Sequence, residues 1–106
     1  MGSCRVVRRV PQGKTLEVLV EAERSGGGGC CVGRIVVGGD FFAFPGEAID
    51  ELERVLTGCC DVGCIRGRIV EVLGSVELVG VTVEDVMDAI VGCYCRLCGL
   101  GPRECT

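Results

Sequence analysis

Ten of the 106 residues are cysteine, at positions 4, 30, 31, 59, 60, 64, 93, 95, 98 and 105. The run Cys93-Tyr94-Cys95-Arg96-Leu97-Cys98, with Cys105 beyond it, offers four sulfurs that could surround a tetrahedral zinc or an iron–sulfur cluster without any histidine. Cys59-Cys60-Asp61-Val62-Gly63-Cys64 forms a second cluster. The spacing lacks the two paired C-x-x-C knuckles of a zinc ribbon. Disulfide bridging is another use for so many cysteines, and intracellular bridges occur in hyperthermophiles. A third is small apolar filler, which suits Cys4, Cys30 and Cys31 on strands. Ten cysteines leave the pairing open. Other reactive chemistry is thin. The chain has no His, the side chain that titrates nearest neutrality. It has one lysine, Lys14, against ten arginines, no Asn and a single Gln, which gives it a thermophile-like composition. No set of residues makes an active site of its own.

The elements that must position these groups follow from pattern. A chain of 106 residues suits one domain with a modest core. No apolar run approaches the roughly 18 residues of a membrane helix, and no secretion signal is visible at the start. The expectation is a cytoplasmic protein with no membrane partner. A net charge of −4 leaves no basic footprint for nucleic acid.

Residues 4 to 10 and 16 to 24 read as a hairpin. Leu16, Val18, Val20 and Ala22 alternate with Glu17, Leu19, Glu21 and Glu23. Placing Val10 opposite Leu16 sets Arg9 against Glu17, Arg5 against Glu21 and Val6 against Val20, with Pro11 and Gly13 in the turn. Ser25 and four glycines make a second turn. They are not a phosphate loop, because no Lys-Ser/Thr follows and no helix begins there. Residues 31 to 37 complete a three-stranded antiparallel meander. A helix follows, with Pro45 in its first turn, Glu47, Asp50 and Glu51 near its positive end, an Asp50–Arg54 pair and Gly58 as its stop. Residues 62 to 73 fit a helix stripe weakened by Gly67, and 76 to 79 read as an apolar bridge. Thr82 and Asp85 form a capping box, Val81 staples onto Val86, and Gly92 ends the last helix. The fold class is α+β, a meander with about three helices packed on one face.

Almost all the aromatic content lies between Gly38-Gly39-Asp40 and Pro45-Gly46-Glu47, as Phe41, Phe42 and Phe44. Neighbouring residues of an extended chain point to opposite faces, so one of Phe41 and Phe42 can enter the core while the other meets a partner. Asp40 reads either as a contact residue or as a turn acceptor that fixes the two rings. Lys14 reads as a contact or an ordinary solvated turn residue.

These segments resemble the C-terminal accessory domain of lipoate–protein ligases. The resemblance rests on Pro11, Gly13 and Lys14, on Gly39-Asp40-Phe41-Phe42, on Pro45, Glu47 and Glu51-Leu52-Glu53, and on VELVGVTVEDVMDAI, and it covers about residues 8 to 92. Gly46 stands where an acid is more usual. The resemblance implies an accessory domain over residues 1–92 and a cysteine-rich tail over 93–106. It implies the non-catalytic subunit of a two-chain ligase, whose large subunit activates lipoate to lipoyl-adenylate and transfers it to a lysine of a lipoyl-acceptor protein. ATP, magnesium and lipoate would be used by the complex, with no cofactor bound by this chain. The implied contact surface is Lys14, Asp40, Phe41, Phe42, Phe44, Pro45 and Glu47. The rival reading is a cysteine-based iron–sulfur assembly scaffold or metal-binding module, with Cys93, Cys95, Cys98 and Cys105 as ligands.

Overall fold

The computed structural model describes residues 2–10, 14–24, 26–27 and 29–105. Pro11 and Gly13 of the first expected turn, and Ser25 and Gly28 of the second, lie outside the described residues. Strands β1 (Gly2–Arg9), β2 (Thr15–Arg24) and β3 (Cys30–Gly39) form an antiparallel sheet in the order β1-β2-β3. Leu16, Val18, Val20 and Ala22 of β2 are buried on one face, with Val32, Ile35 and Val37 of β3 beside them. The expected hairpin is present, but its register differs by two residues. Arg9 stands opposite Thr15, Val6 opposite Val18 and Arg5 opposite Leu19. A slide of two leaves every side chain on its own face, so alternation does not distinguish the two registers. Neither expected ion pair, Arg9–Glu17 or Arg5–Glu21, forms; Arg5 reaches diagonally to Glu17 instead, with Nη2 2.8 Å from Oε1.

β3 is an edge strand, and its outer edge is covered. The Val32 N–H donates to the Cys59 carbonyl and the Gly58 N–H donates to the Val32 carbonyl, both at 2.8 Å. The Val37 N–H donates to Glu53 Oε2 at 2.8 Å. These contacts satisfy edge groups that would otherwise pair with another chain.

Beyond β3 come β4 (Phe42–Phe44), α1 (Ala48–Leu56), α2 (Val62–Leu73), β5 (Glu77–Val79) and α3 (Val83–Cys98). α1 starts later than expected. Pro45 precedes it, accepting at its carbonyl from the Ala48 N–H at 3.1 Å, and Glu47 is the N-cap residue. The reason is that Phe44 is still in an extended strand. Arg54 bonds Glu51, three residues back, rather than Asp50. Those hydrogen bonds hold the Glu51 carboxyl below its usual value and raise Arg54 above its own. Gly58, at φ 94°, follows the helix end as expected.

The segment 62–73 is helical. Asp61 caps it by accepting from the Cys64 N–H at 2.7 Å, and Val62, Ile65, Ile69 and Leu73 are buried. Gly67 stands on the exposed side. The apolar bridge at 76–79 contains β5, which pairs antiparallel with β4 as Phe42–Val79, Ala43–Leu78 and Phe44–Glu77. This two-stranded ribbon was not foreseen, because three-residue strands are too short to show a period.

The Thr82–Asp85 capping box forms in both directions, at 3.0 and 2.9 Å. Gly92 does not end α3, which runs to Cys98 and stops at Gly99 in the left-handed conformation. A helical glycine costs only about 1 kcal/mol. Burial of Val91, Cys93, Tyr94 and Cys95 around it outweighs that. α3 packs on β1 and β2, α1 on β3, and α2 on both helices, so all three helices lie on the sheet's apolar face. No helix among the described residues is long and apolar enough to cross a membrane.

Tyr94, the sole tyrosine in a chain without Trp, donates its hydroxyl to the Cys30 carbonyl at 2.7 Å. Burial, with a smaller effect from the Asp61 charge, raises its pKa above the ordinary 10.0. The folded state therefore holds this proton more tightly than the unfolded chain does. The stability it contributes is intact below the unfolded value and is lost as pH rises through the folded one. An alkaline titration followed by tyrosinate absorbance should show ionisation delayed past that of free tyrosine and coinciding with loss of circular dichroism. Ionisation at the free value with the fold intact would contradict the burial.

Candidate functional site

The aromatic segment is set by one close backbone approach. Gly39 has φ 142°, and a Cβ there would lie 2.0 Å from the Thr15 carbonyl oxygen. Only glycine fits at this contact. The next residue secures the junction from both sides. The Asp40 N–H donates to the Thr15 carbonyl at 3.2 Å, and the Asp40 carboxylate accepts the Thr15 N–H. The end of β3 is thus fastened to the start of β2, and the rings leave the sheet from a fixed point. Asp40 acts as the turn acceptor of the two readings given to it.

Phe41 turns inward and packs half-buried against the core. Phe42 and Phe44 are 59% and 55% exposed, side by side on the outer face of β4. Ala43 and its partner Leu78 occupy the inner face, while Val79, 45% exposed, stands opposite Phe42 and Glu77 opposite Phe44. Gly80, at φ 102°, leaves room for the Lys14 stem, whose Cγ would be 2.7 Å from a Cβ at that position. Lys14 is therefore a half-buried neighbour of the ribbon through its aliphatic stem.

At the other end of the ribbon, Pro45 opens a groove of about 600 Å3 between the start of α1 and the end of α2. Its floor is apolar, with Ala48, Val72 and Val76, and its rim carries Glu47, Asp50 and Glu71. The structure brings Lys14, Asp40, Phe41, Phe42, Phe44, Pro45 and Glu47 to one end of the molecule. Of these, Phe42, Phe44, Pro45 and Glu47 are exposed, with side chains that make no hydrogen bond to a described residue, whereas Asp40 and Phe41 hold the frame. Sequence reasoning missed Val79, Glu77, Glu71 and Val76. They join the surface only through β4–β5 pairing and the packing of α2, and no local pattern marks them.

The cysteines lie at the opposite end, and all ten are paired. Cys4–Cys93 and Cys30–Cys98 tie α3 to β1 and to the start of β3; Cys31–Cys60 and Cys59–Cys64 tie the α1–α2 connection to β3 and α2; Cys95–Cys105 returns the tail to α3. The four-sulfur set Cys93, Cys95, Cys98 and Cys105 is divided among three bridges. Cys4, Cys30 and Cys31 are cross-linked, not filler. No group of three or more His, Cys, Asp or Glu among the described residues is placed to hold a metal ion. The iron–sulfur reading is not favoured, since it needs thiolates that the bridges consume.

Two outcomes test this geometry. Phe42→Ala and Phe44→Ala should each change unfolding free energy by no more than about 0.5 kcal/mol, as exposed sites do. Leu52→Ala, in the core, should cost ~2–5 kcal/mol. A loss at Phe42 or Phe44 as large as at Leu52 in denaturant melts would place those rings inside. Separately, alkylation of the unreduced, unfolded protein followed by mass measurement should find no reactive thiol. Four modified cysteines from the tail would restore the metal-ligand reading.

No family model and no curated protein sequence matches the chain. Among solved structures it is similar to a chain from an archaeal lipoylation system of Thermoplasma acidophilum, a bipartite lipoate protein ligase and its E2 lipoyl domain. The TM-score is 0.66 at 24% identity, over 84% of this chain and 97% of that one. At that identity the likeness establishes the fold.

Proposed function

We propose that this chain is the accessory subunit of a two-chain lipoate–protein ligase, required for lipoate activation and without catalytic residues of its own. The observation that carries the reading is the exposed Phe42–Phe44 ribbon. It continues directly from the Gly39-Asp40-Phe41-Phe42 segment that resembles the accessory domain, in a fold similar to that of a chain from an archaeal bipartite lipoate protein ligase system. The thin polar chemistry of the chain agrees with a supporting role. In the proposed reaction the lipoate carboxylate attacks the α-phosphorus of ATP and pyrophosphate leaves. The lysine amine of the acceptor then attacks the acyl carbon and AMP leaves. ATP, magnesium and lipoate bind to the catalytic chain.

This subunit acts by binding the adenylation-ready arrangement of its partner more tightly than the resting one, since only differential affinity shifts an equilibrium. A difference of ~1–3 kcal/mol changes activity about 5- to 150-fold. Rings exposed at rest suit that task, because they are covered only in the complex.

The test is reconstitution with the catalytic chain encoded by the same organism. Lipoyl-adenylate formation should rise by about 5- to 150-fold on addition of this protein, while transfer from preformed lipoyl-adenylate should change much less. Equal adenylation with and without the protein would refute the assignment.

A further inference from the structure

At the ribbon end, exposed acids gather beside exposed apolar groups. On the open face of the sheet, Arg5 is paired with Glu17 and Arg34 stands opposite Glu21, so acids and arginines face one another there. Around the ribbon, Glu47, Asp50, Glu71 and Glu77 are all exposed, and none forms an ion pair with a described residue. Among the described residues, the one cation lining the groove, Arg54, is committed to Glu51. Helix-dipole stabilisation accounts for acids at the start of α1, such as Glu47 and Asp50. It does not account for Glu71 near the end of α2 or for Glu77 on β5. Glu77 stands opposite Phe44 on the ribbon, and Pro45, the next residue after Phe44, lines the groove that also holds Val72, Val76, Glu47, Asp50 and Glu71; ribbon and groove together make an apolar track bordered by acids.

Taking the proposed function as its basis, we infer that this track receives a basic segment of the catalytic chain. One or two apolar side chains of that segment cover Phe42 and Phe44, and flanking Lys or Arg residues meet Glu47, Asp50, Glu71 and Glu77. Apolar anchors supply the affinity of such a contact, while the acidic rim steers encounter and sets which partner is accepted. Lys14, beside Gly80, forms no ion pair with any of these acids, so their field is available to the partner. The disulfides all lie at the far end, so no covalent cross-link restrains the ribbon as the segment settles.

The experiment measures affinity between the purified catalytic chain and this protein at about 0.1 M and about 1 M salt, over which the Debye length falls from ~10 to ~3 Å. Three variants accompany the native protein. One carries Glu47→Gln, Asp50→Asn, Glu71→Gln and Glu77→Gln. A charge-matched control carries Glu21→Gln, Glu23→Gln, Asp88→Asn and Glu104→Gln. The third is Phe42→Ala with Phe44→Ala. Thermal melts establish that each variant is folded. The rim variant should bind at least tenfold more weakly at the lower salt and lose most of its salt dependence. The control should bind as the native protein does, and the ring variant should weaken at both salt concentrations. Hydrogen exchange on the catalytic chain should find protection in a segment bearing Lys or Arg beside an apolar residue. If this protein binds and stimulates adenylation while the rim variant is indistinguishable from native, or the protected segment is acidic, the inference falls and the function stands. If it neither binds nor stimulates, both fall together.

Discussion

The central constraint is the one-sided burial of a three-stranded sheet. Leu16, Val18 and Val20 of the middle strand are wholly excluded from solvent, while Glu17, Leu19 and Glu21 between them face the other way. A small sheet with a single apolar face is stable only when that face is covered. All three helices therefore lie on one side, and each presents a stripe toward the same core. The free edge of β3 is closed by the α1–α2 connection and by Glu53. The last ring to enter, Tyr94, carries its hydroxyl to a strand carbonyl and so buries no unpaired donor.

The two ends of this frame are built differently. At one end, bridges join strand starts to the far ends of the helices. The link between Cys4 and Cys93 closes 89 residues. On the chain-entropy account a loop of that size contributes roughly 4–5 kcal/mol. At the other end there is no cross-link. The ribbon there rests on a glycine that lets two backbones meet, an aspartate that bonds Thr15, and one inward-facing ring. Restricting the unfolded chain at one end leaves the ring-bearing surface at the other free of that restraint, while the domain as a whole remains stable.

A surface of this kind suits a supporting subunit. Exposed rings beside unpaired acids have no value to an isolated chain: the rings gain nothing from water, and the acids repel one another. Both are relieved when a complementary partner covers them. An accessory role thus agrees with the physical state of the surface, and the sheet supplies the rigid mount that positions it.

Alternation in β2, the capping box at Thr82 and the glycine stop after α1 were legible in the sequence, because each is a local rule with a period or a fixed offset. So was the contrast between half-buried Phe41 and exposed Phe42, since neighbouring side chains of an extended chain point apart. The hairpin register was not legible, because a slide of two residues conserves every face. The course of α3 past Gly92 was not, because long-range burial overrode a local cost. The cysteine pairs, and the meeting of Glu71 and Glu77 with the Phe42–Phe44 track, depended on residues far apart in the chain. Local order thus came from the sequence through short-range sterics and polarity. Which distant groups share a surface was decided only when the helices closed over the sheet.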